Sequence, residues 1–215
     1  MRTLQRLRAD SRYTIIGFPT SIASFSLTIA GVAAGIGSAV AFVGLPILSG
    51  TAAMGRRFAD LERSSIASVV DHPVESPAYT EAPSWAGWFR RVMNPLLNGQ
   101  AGLDLLHAVL SFPLAIVSFV LTVTWWAGTV LGLTFPLYGW ILFNTIGPEG
   151  SLPALLGFGG GLAGYVIFNT VVGLLFAITL VPVVRLAALV RASLGEALLT
   201  RAVHGTRPSR VAMAA

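Results

Sequence analysis

Cysteine and lysine are both absent from these 215 residues, and charged side chains of every kind make up only 11% of them. The lack of cysteine excludes a disulfide framework, thiol redox chemistry and any thiolate metal site. The shortage of charge, roughly half the share of an ordinary soluble domain, excludes a water-soluble globule, because too little polar surface exists to cover one. With no lysine, all 14 basic residues are arginine, a bias that fits a GC-rich genome.

What fills the chain instead is apolar: 54% hydrophobic residues and a mean hydropathy of +0.76. Charge-free runs extend over Tyr13–Gly55, Leu105–Pro148 and Gly150–Val184, each well beyond the roughly 18 residues that mark a membrane span. The first run, 43 residues long, would reach about 65 Å as one helix, twice the hydrocarbon thickness of about 30 Å. A break is therefore expected within it, at Gly31, Gly35 and Gly37, where glycine permits a tight turn. The chain reads as an all-α, polytopic integral membrane protein with four transmembrane helices at 13–34, 36–54, 105–131 and 155–184, arranged as two hairpins.

The hairpins are related by a repeat. Phe18 to Thr28 (FPTSIASFSLT) returns 94 residues later as Phe112 to Thr122 (FPLAIVSFVLT), with seven of eleven positions identical. Arginine placement sets the orientation: Arg2, Arg6, Arg8 and Arg12 precede the first helix, Arg56, Arg57, Arg63, Arg90 and Arg91 lie between the hairpins, and five more follow Val184. By the positive-inside rule both termini and the central loop face the cytoplasm, so both copies enter the cytoplasmic membrane from the same side as parallel repeats. The net charge of +5 is thus a topology signal and gives no reason to expect nucleic acid.

Five regions follow: a basic cytoplasmic N-terminus at 1–12, a first hairpin at 13–55, a cytoplasmic segment at 56–104, a second hairpin at 105–184 and a basic cytoplasmic stem and tail at 185–215. The N-terminal apolar run exceeds the roughly 7–15 residues of a secretory h-region, so it is expected to be retained. In the central segment, Phe58, Leu61, Ile66 and Val69 fall near one side of an amphipathic stem. Pro73, Pro77 and Pro83 mark a linker, and Trp85 to Met93 combines aromatics with paired arginines, either a short helix lying among lipid headgroups or a lead-in to the third span. The second hairpin carries an aromatic extracytoplasmic insertion at about 132–153, which the first lacks.

These segments resemble the sensor domain family found at the N-terminus of many actinobacterial two-component histidine kinases and also as stand-alone proteins. The resemblance rests on Tyr13 to Thr28, the Arg-flanked Leu-Glu-Arg stem within Arg56 to Arg63, the second aromatic and Pro step from Leu103 to Pro113, and the exit from Pro182 to Leu199. It covers about residues 10–200 and implies a membrane sensor. Pro46 to Asp60 and Pro182 to Glu196 share one spacing, 14 residues, so the prolines Pro19, Pro113, Pro46 and Pro182 are candidate hinge or packing positions. A kinase would need a phospho-accepting histidine and an ATP-binding domain. His204 has no acidic neighbour to make it one and reads as a solvated tail residue, so output is expected from another polypeptide.

Other features have structural readings. Gly159 to Gly164 fits GxGxxG, but no strand precedes it and no acidic residue follows at the required distance, so a dinucleotide site is not expected. The pairs Gly31/Gly35, Gly157/Gly161 and Gly160/Gly164 have small-xxx-small spacing and suit close helix packing, within one chain or in a homodimer. Asp104 and His107 share a helix face, as a proton-sensing pair would, yet two candidates are too few for a metal site. Asn169, in mid-helix, needs a partner, either on a neighbouring helix or in a ligand. Trp125, Trp126, Tyr138, Trp140 and Phe143 form an outward aromatic group, an interface belt or a pocket for a lipid or amphiphilic drug.

No Ser/His/Asp set, carboxylate pair or metal cluster lies in the spans, so neither an enzyme, a cofactor nor an ion-coupled transporter is expected. The expected function is a non-enzymatic sensor that perceives an envelope or membrane stimulus near Trp125, Trp126, Tyr138, Trp140 and Asn169. The signal passes through Pro46 and Pro182 to a histidine kinase or response regulator. The alternative is an accessory or substrate-binding subunit of a transporter such as an ABC exporter.

Overall fold

A computed structural model describes residues 3–39, 43–70, 72, 74, 77, 79, 83, 85, 87–97, 99–147, 149, 152–157 and 161–200. His204, Pro73, Gly159, Gly160 and the end of the basic tail lie outside these residues. The described residues form seven helices and no strand: α1 (Thr3–Gly37), α2 (Gly44–Ile66), α3 (Trp88–Leu97), α4 (Gly99–Leu133), α5 (Phe135–Ile146), α6 (Leu152–Leu155) and α7 (Leu162–Leu199).

Three of these, α1, α4 and α7, are long and apolar enough to cross a membrane, which suits a membrane-embedded chain. The fourth expected span falls on α2, whose second half carries Arg56, Arg57, Asp60, Glu62 and Arg63; these charges keep it below the hydropathy of a spanning helix. The expected turn at Gly31 to Gly37 lies inside α1, and α2 begins only at Gly44. The glycines serve packing instead: a Cβ on Gly31 would collide with Thr51, and one on Gly35 with Leu48, so their absence of side chain lets α1 and α2 approach closely. The last span was placed to start at residue 155, but α6 is a single turn and α7 starts at Leu162 and runs without a break through Pro182 to Leu199. Span and exit stem are one rod.

The chain divides into two compact units. The first, residues 1–119 and 187–215, contains α1, α2 and α3 with the start of α4 and the end of α7. Two ring stacks join α1 to α4: Phe18 with Phe119 at 4.3 Å and Phe25 with Phe112 at 4.4 Å between centroids. The 94-residue offset carries one of these contacts into the other. It carries the buried stripe too: Leu7, Asp10, Tyr13, Thr14, Gly17, Ser21 and Ser24 of α1 correspond to Ala101, Asp104, His107, Ala108, Ser111, Ala115 and Ser118 of α4, and all fourteen are buried. The matching shift of 136 residues takes Ala52, Gly55, Ala59 and Arg63 of α2 onto Ala188, Arg191, Gly195 and Leu199 of α7, again all buried.

On α2 the buried face is Ala52, Gly55, Ala59, Glu62, Arg63 and Ile66, continued by Val69, while Leu61 is exposed. The apolar pattern located Ile66 and Val69 on this face and misplaced Leu61, because two charged residues occupy inward positions that a polarity argument assigns to water. In α3 the aromatic side chains point outward, with Trp88 and Phe89 exposed beside Trp85, over whose ring Arg90 lies at 5.6 Å.

The second unit, residues 120–186, is held by small residues and rings. Gly132 and Gly173 meet backbone to backbone, since a Cβ on either would strike the other's main chain, and Gly128 leaves room for the Phe176 ring. Gly157 and Gly161 both lie outside α6 and α7, and among the described residues a Cβ on either meets nothing within 4 Å. Gly157 has φ +77° and Gly147 φ +81°, left-handed conformations in which glycine carries the loop.

Candidate functional site

The first unit buries a polar junction where four helices meet. At its centre is Arg191 of α7, 1% exposed. Its Nη2 donates to the Gly17 carbonyl at 3.1 Å, to Ser21 Oγ at 3.0 Å and to Glu62 Oε2 at 3.2 Å, and Nη1 donates to the Tyr13 carbonyl at 3.4 Å. The guanidinium also lies 4.6 Å over the Tyr13 ring, and Tyr13 donates its phenolic proton to Glu62 Oε1 at 2.6 Å. Gly17 has no side chain because the guanidinium occupies the place a Cβ would take. A buried charge is tolerable only when paired and hydrogen-bonded, and here α1 and α2 supply that pairing to a side chain of α7.

A second arginine completes the junction. Arg63 of α2, 2% exposed, donates to Asp60, Asp104, the Tyr79 hydroxyl and the Leu199 carbonyl. Asp104 also accepts from Tyr79 at 2.9 Å and from Gln100 Nε2 at 3.1 Å, while Gln100 reaches the Leu198 carbonyl. Burial pushes the Tyr79 phenol up to about 12, with the Asp104 carboxylate beside it adding to the shift. Tyr79 therefore stays a neutral donor. The Arg56 guanidinium lies 3.7 Å from the centroid of the Tyr79 ring. Asp104 is thus the acceptor of an inter-helix network, and its expected partner His107 instead lines a small polar cavity of about 30 Å³ with Ser21, Ser24, Glu62 and Ser111, room for about one water.

In the second unit the sequence candidates fall into two groups. Trp125 donates its indole proton to Thr179 Oγ1 at 2.9 Å and meets the Phe176 ring edge-on at 5.2 Å. Tyr138 and Trp140 lie on α5, donating to the Leu131 and Leu137 carbonyls, and Trp140 is exposed. Phe135 packs edge-on against both Tyr138 and Tyr165, and Phe143 also meets Tyr165. Asn169 donates from its amide nitrogen within its own helix, to the Tyr165 carbonyl at 2.8 Å. Trp126 is partly exposed on α4.

Among the described residues no cluster of three or more His, Asp or Glu side chains could hold a metal ion. The junction's chemistry is electrostatic coupling between helices. Sequence reasoning counted Arg191 and Arg63 as orientation charges and so missed both. A signal was present for Arg191: Ala187, Ala188, Ala192 and Gly195 surround it on one helix face, leaving a slot for a long side chain.

No curated protein and no solved structure matches the chain. A family model described as "Putative sensor" matches residues 13–199, a range that holds Arg191, Arg63 and the side chains that bind them. The chain belongs to that family, whose description points to sensing.

Proposed function

We propose that the chain is a non-enzymatic membrane sensor that hands a stimulus to a separate output protein, with the Arg191 junction as its moving part. One observation carries the reading: the guanidinium of the exit helix is held wholly inside the protein by α1 and α2. Replacing a buried ion pair by apolar side chains is often neutral or stabilising, so such a pair argues poorly for stability alone and well for fixing one arrangement among several. In α7, Phe176 and Thr179, which touch Trp125, lie on the same continuous helix as Arg191. A stimulus acting near Trp125, Trp126, Tyr138, Trp140 or Asn169 would shift this rod and with it the guanidinium.

Both termini face the cytoplasm in this reading, and the end of α7 presents Leu189 and Val190 to a partner. Affinity purification from native membranes in mild detergent tests it, using the wild type and a Leu189→Ser/Val190→Ser variant. A histidine kinase or response regulator recovered with the wild type and lost with the variant is expected. Recovery of an ATPase with its permease would transfer the chain to the transporter class, and recovery indifferent to the variant would contradict output through α7.

A further inference from the structure

We infer that the groove between α1 and α2 binds the headgroup of an anionic phospholipid carrying hydroxyl groups, of the phosphatidylglycerol type. The groove has a volume of about 420 Å³ and is lined by one face of α1, from Ala9 to Thr20, and by Leu61, Ser64, Ser65 and Ser68 of α2 and the turn that follows it. Arg12 stands in it, exposed, with no hydrogen bond or ion pair among the described residues. Ile16 and Leu61, both exposed, form its apolar flank.

The hydroxyls decide the ligand class. Ser64 and Ser65 donate to the Leu61 carbonyl, Ser68 to the Ser65 carbonyl and Thr20 to the Ile16 and Gly17 carbonyls. Tyr13 gives its proton to Glu62. Every hydroxyl proton is thus spent on the protein, and what faces the groove is one cation and a row of oxygen lone pairs. A bare phosphate would find Arg12 and then only acceptors. A ligand with one anionic phosphate and nearby donors fits both features, and among donors hydroxyls suit the guanidinium better than a second cation would. Ile16 and Leu61 lie where the first methylenes of an acyl chain would continue from such a headgroup, and attraction of arginine to anionic leaflets acts in the same direction.

Native mass spectrometry of the full chain from nanodiscs of equimolar phosphatidylglycerol, phosphatidylethanolamine and phosphatidylcholine tests this. The wild type should retain phosphatidylglycerol over phosphatidylcholine by roughly tenfold, about what hydrogen bonds from the headgroup hydroxyls and the lack of a second cation beside Arg12 contribute together. Arg12→Gln should abolish that preference, while Arg8→Gln, an exposed arginine outside the groove, should keep it. Both side chains are exposed, so thermal unfolding of the two variants should match the wild type. Equal retention of all three lipids, preference for phosphatidylethanolamine, or equal losses in the two variants would overturn the inference. Displacement by soluble glycerol phosphate at the lipid's own molar concentration would also overturn it, since that would make the acyl chains irrelevant.

Discussion

At the scale of single residues, the molecule turns on Arg191 and Glu62. Removing one partner of a buried ion pair strands the other without water, at a cost of roughly 3–5 kcal/mol. Glu62→Gln keeps one acceptor oxygen, for Tyr13 or for Arg191 but not for both, and removes the charge while keeping the volume, so it should destabilise less than Arg191→Ala. The double variant Arg191→Met/Glu62→Leu should recover most of the stability lost in Arg191→Ala, because apolar side chains of similar volume can replace a buried pair. Thermal unfolding in detergent, run on all three, checks this ordering. Stability in the double variant without the wild type's response would separate the pair's role in signalling from its role in folding. Arg63's place was not legible from its surroundings in sequence, and Arg191's only from the small residues about it, for a physical reason: a charge near a span end satisfies the positive-inside pattern whether it reaches water or turns inward to a carboxylate. Only the partner distinguishes the two, and Glu62 lies 129 residues from Arg191.

At the scale of elements, glycines and prolines behave differently from their usual punctuation. Pro19, Pro113 and Pro182 all sit inside helices that continue past them, which apolar surroundings permit when neighbouring groups satisfy the freed carbonyls. Gly31 and Gly35 carried two readings, a turn and a small-xxx-small packing pair, and they are contact positions of a continuous helix. The glycine signal was real, but small-xxx-small spacing serves packing and turning alike, and length arithmetic alone could not choose between them. Gly31→Val should therefore force α1 away from Thr51 and lower stability by about 1–3 kcal/mol, the usual cost of overpacking. Gly50→Ala, at a helical position with nothing within 4 Å of the added carbon, should raise it by about 0.5–1 kcal/mol through helix propensity. Chemical unfolding of the two variants beside the wild type tests the contrast; equal effects would show that the Gly31 contact is unimportant. Gly132 and Gly173 went unnoticed although Gly128/Gly132 and Gly173/Ala177 both have small-xxx-small spacing, because the contact that matters runs between helices far apart in the chain.

For the whole molecule, helical class and membrane character were readable from charge scarcity and run length, because burying a polar backbone in lipid leaves few alternatives to helices. The 94-residue offset was readable as an eleven-residue likeness, and buried positions also fall at that offset, with the same side chain at Asp10 and Asp104 and different ones at Tyr13 and His107. At the 136-residue offset the side chains differ where it matters most for function: Gly55 of α2 is matched by Arg191 of α7, so the guanidinium comes from α7 alone. The central claim is that this guanidinium fixes α7 against α2, and the absence of native cysteine allows a direct measurement. Spin labels at Ala67→Cys and Ser193→Cys, both exposed, report the separation of α2 and α7 by double electron–electron resonance in nanodiscs. The wild type should give one narrow distance distribution, and Glu62→Gln should shift it or add a second population. The same narrow distribution in both proteins would contradict the account.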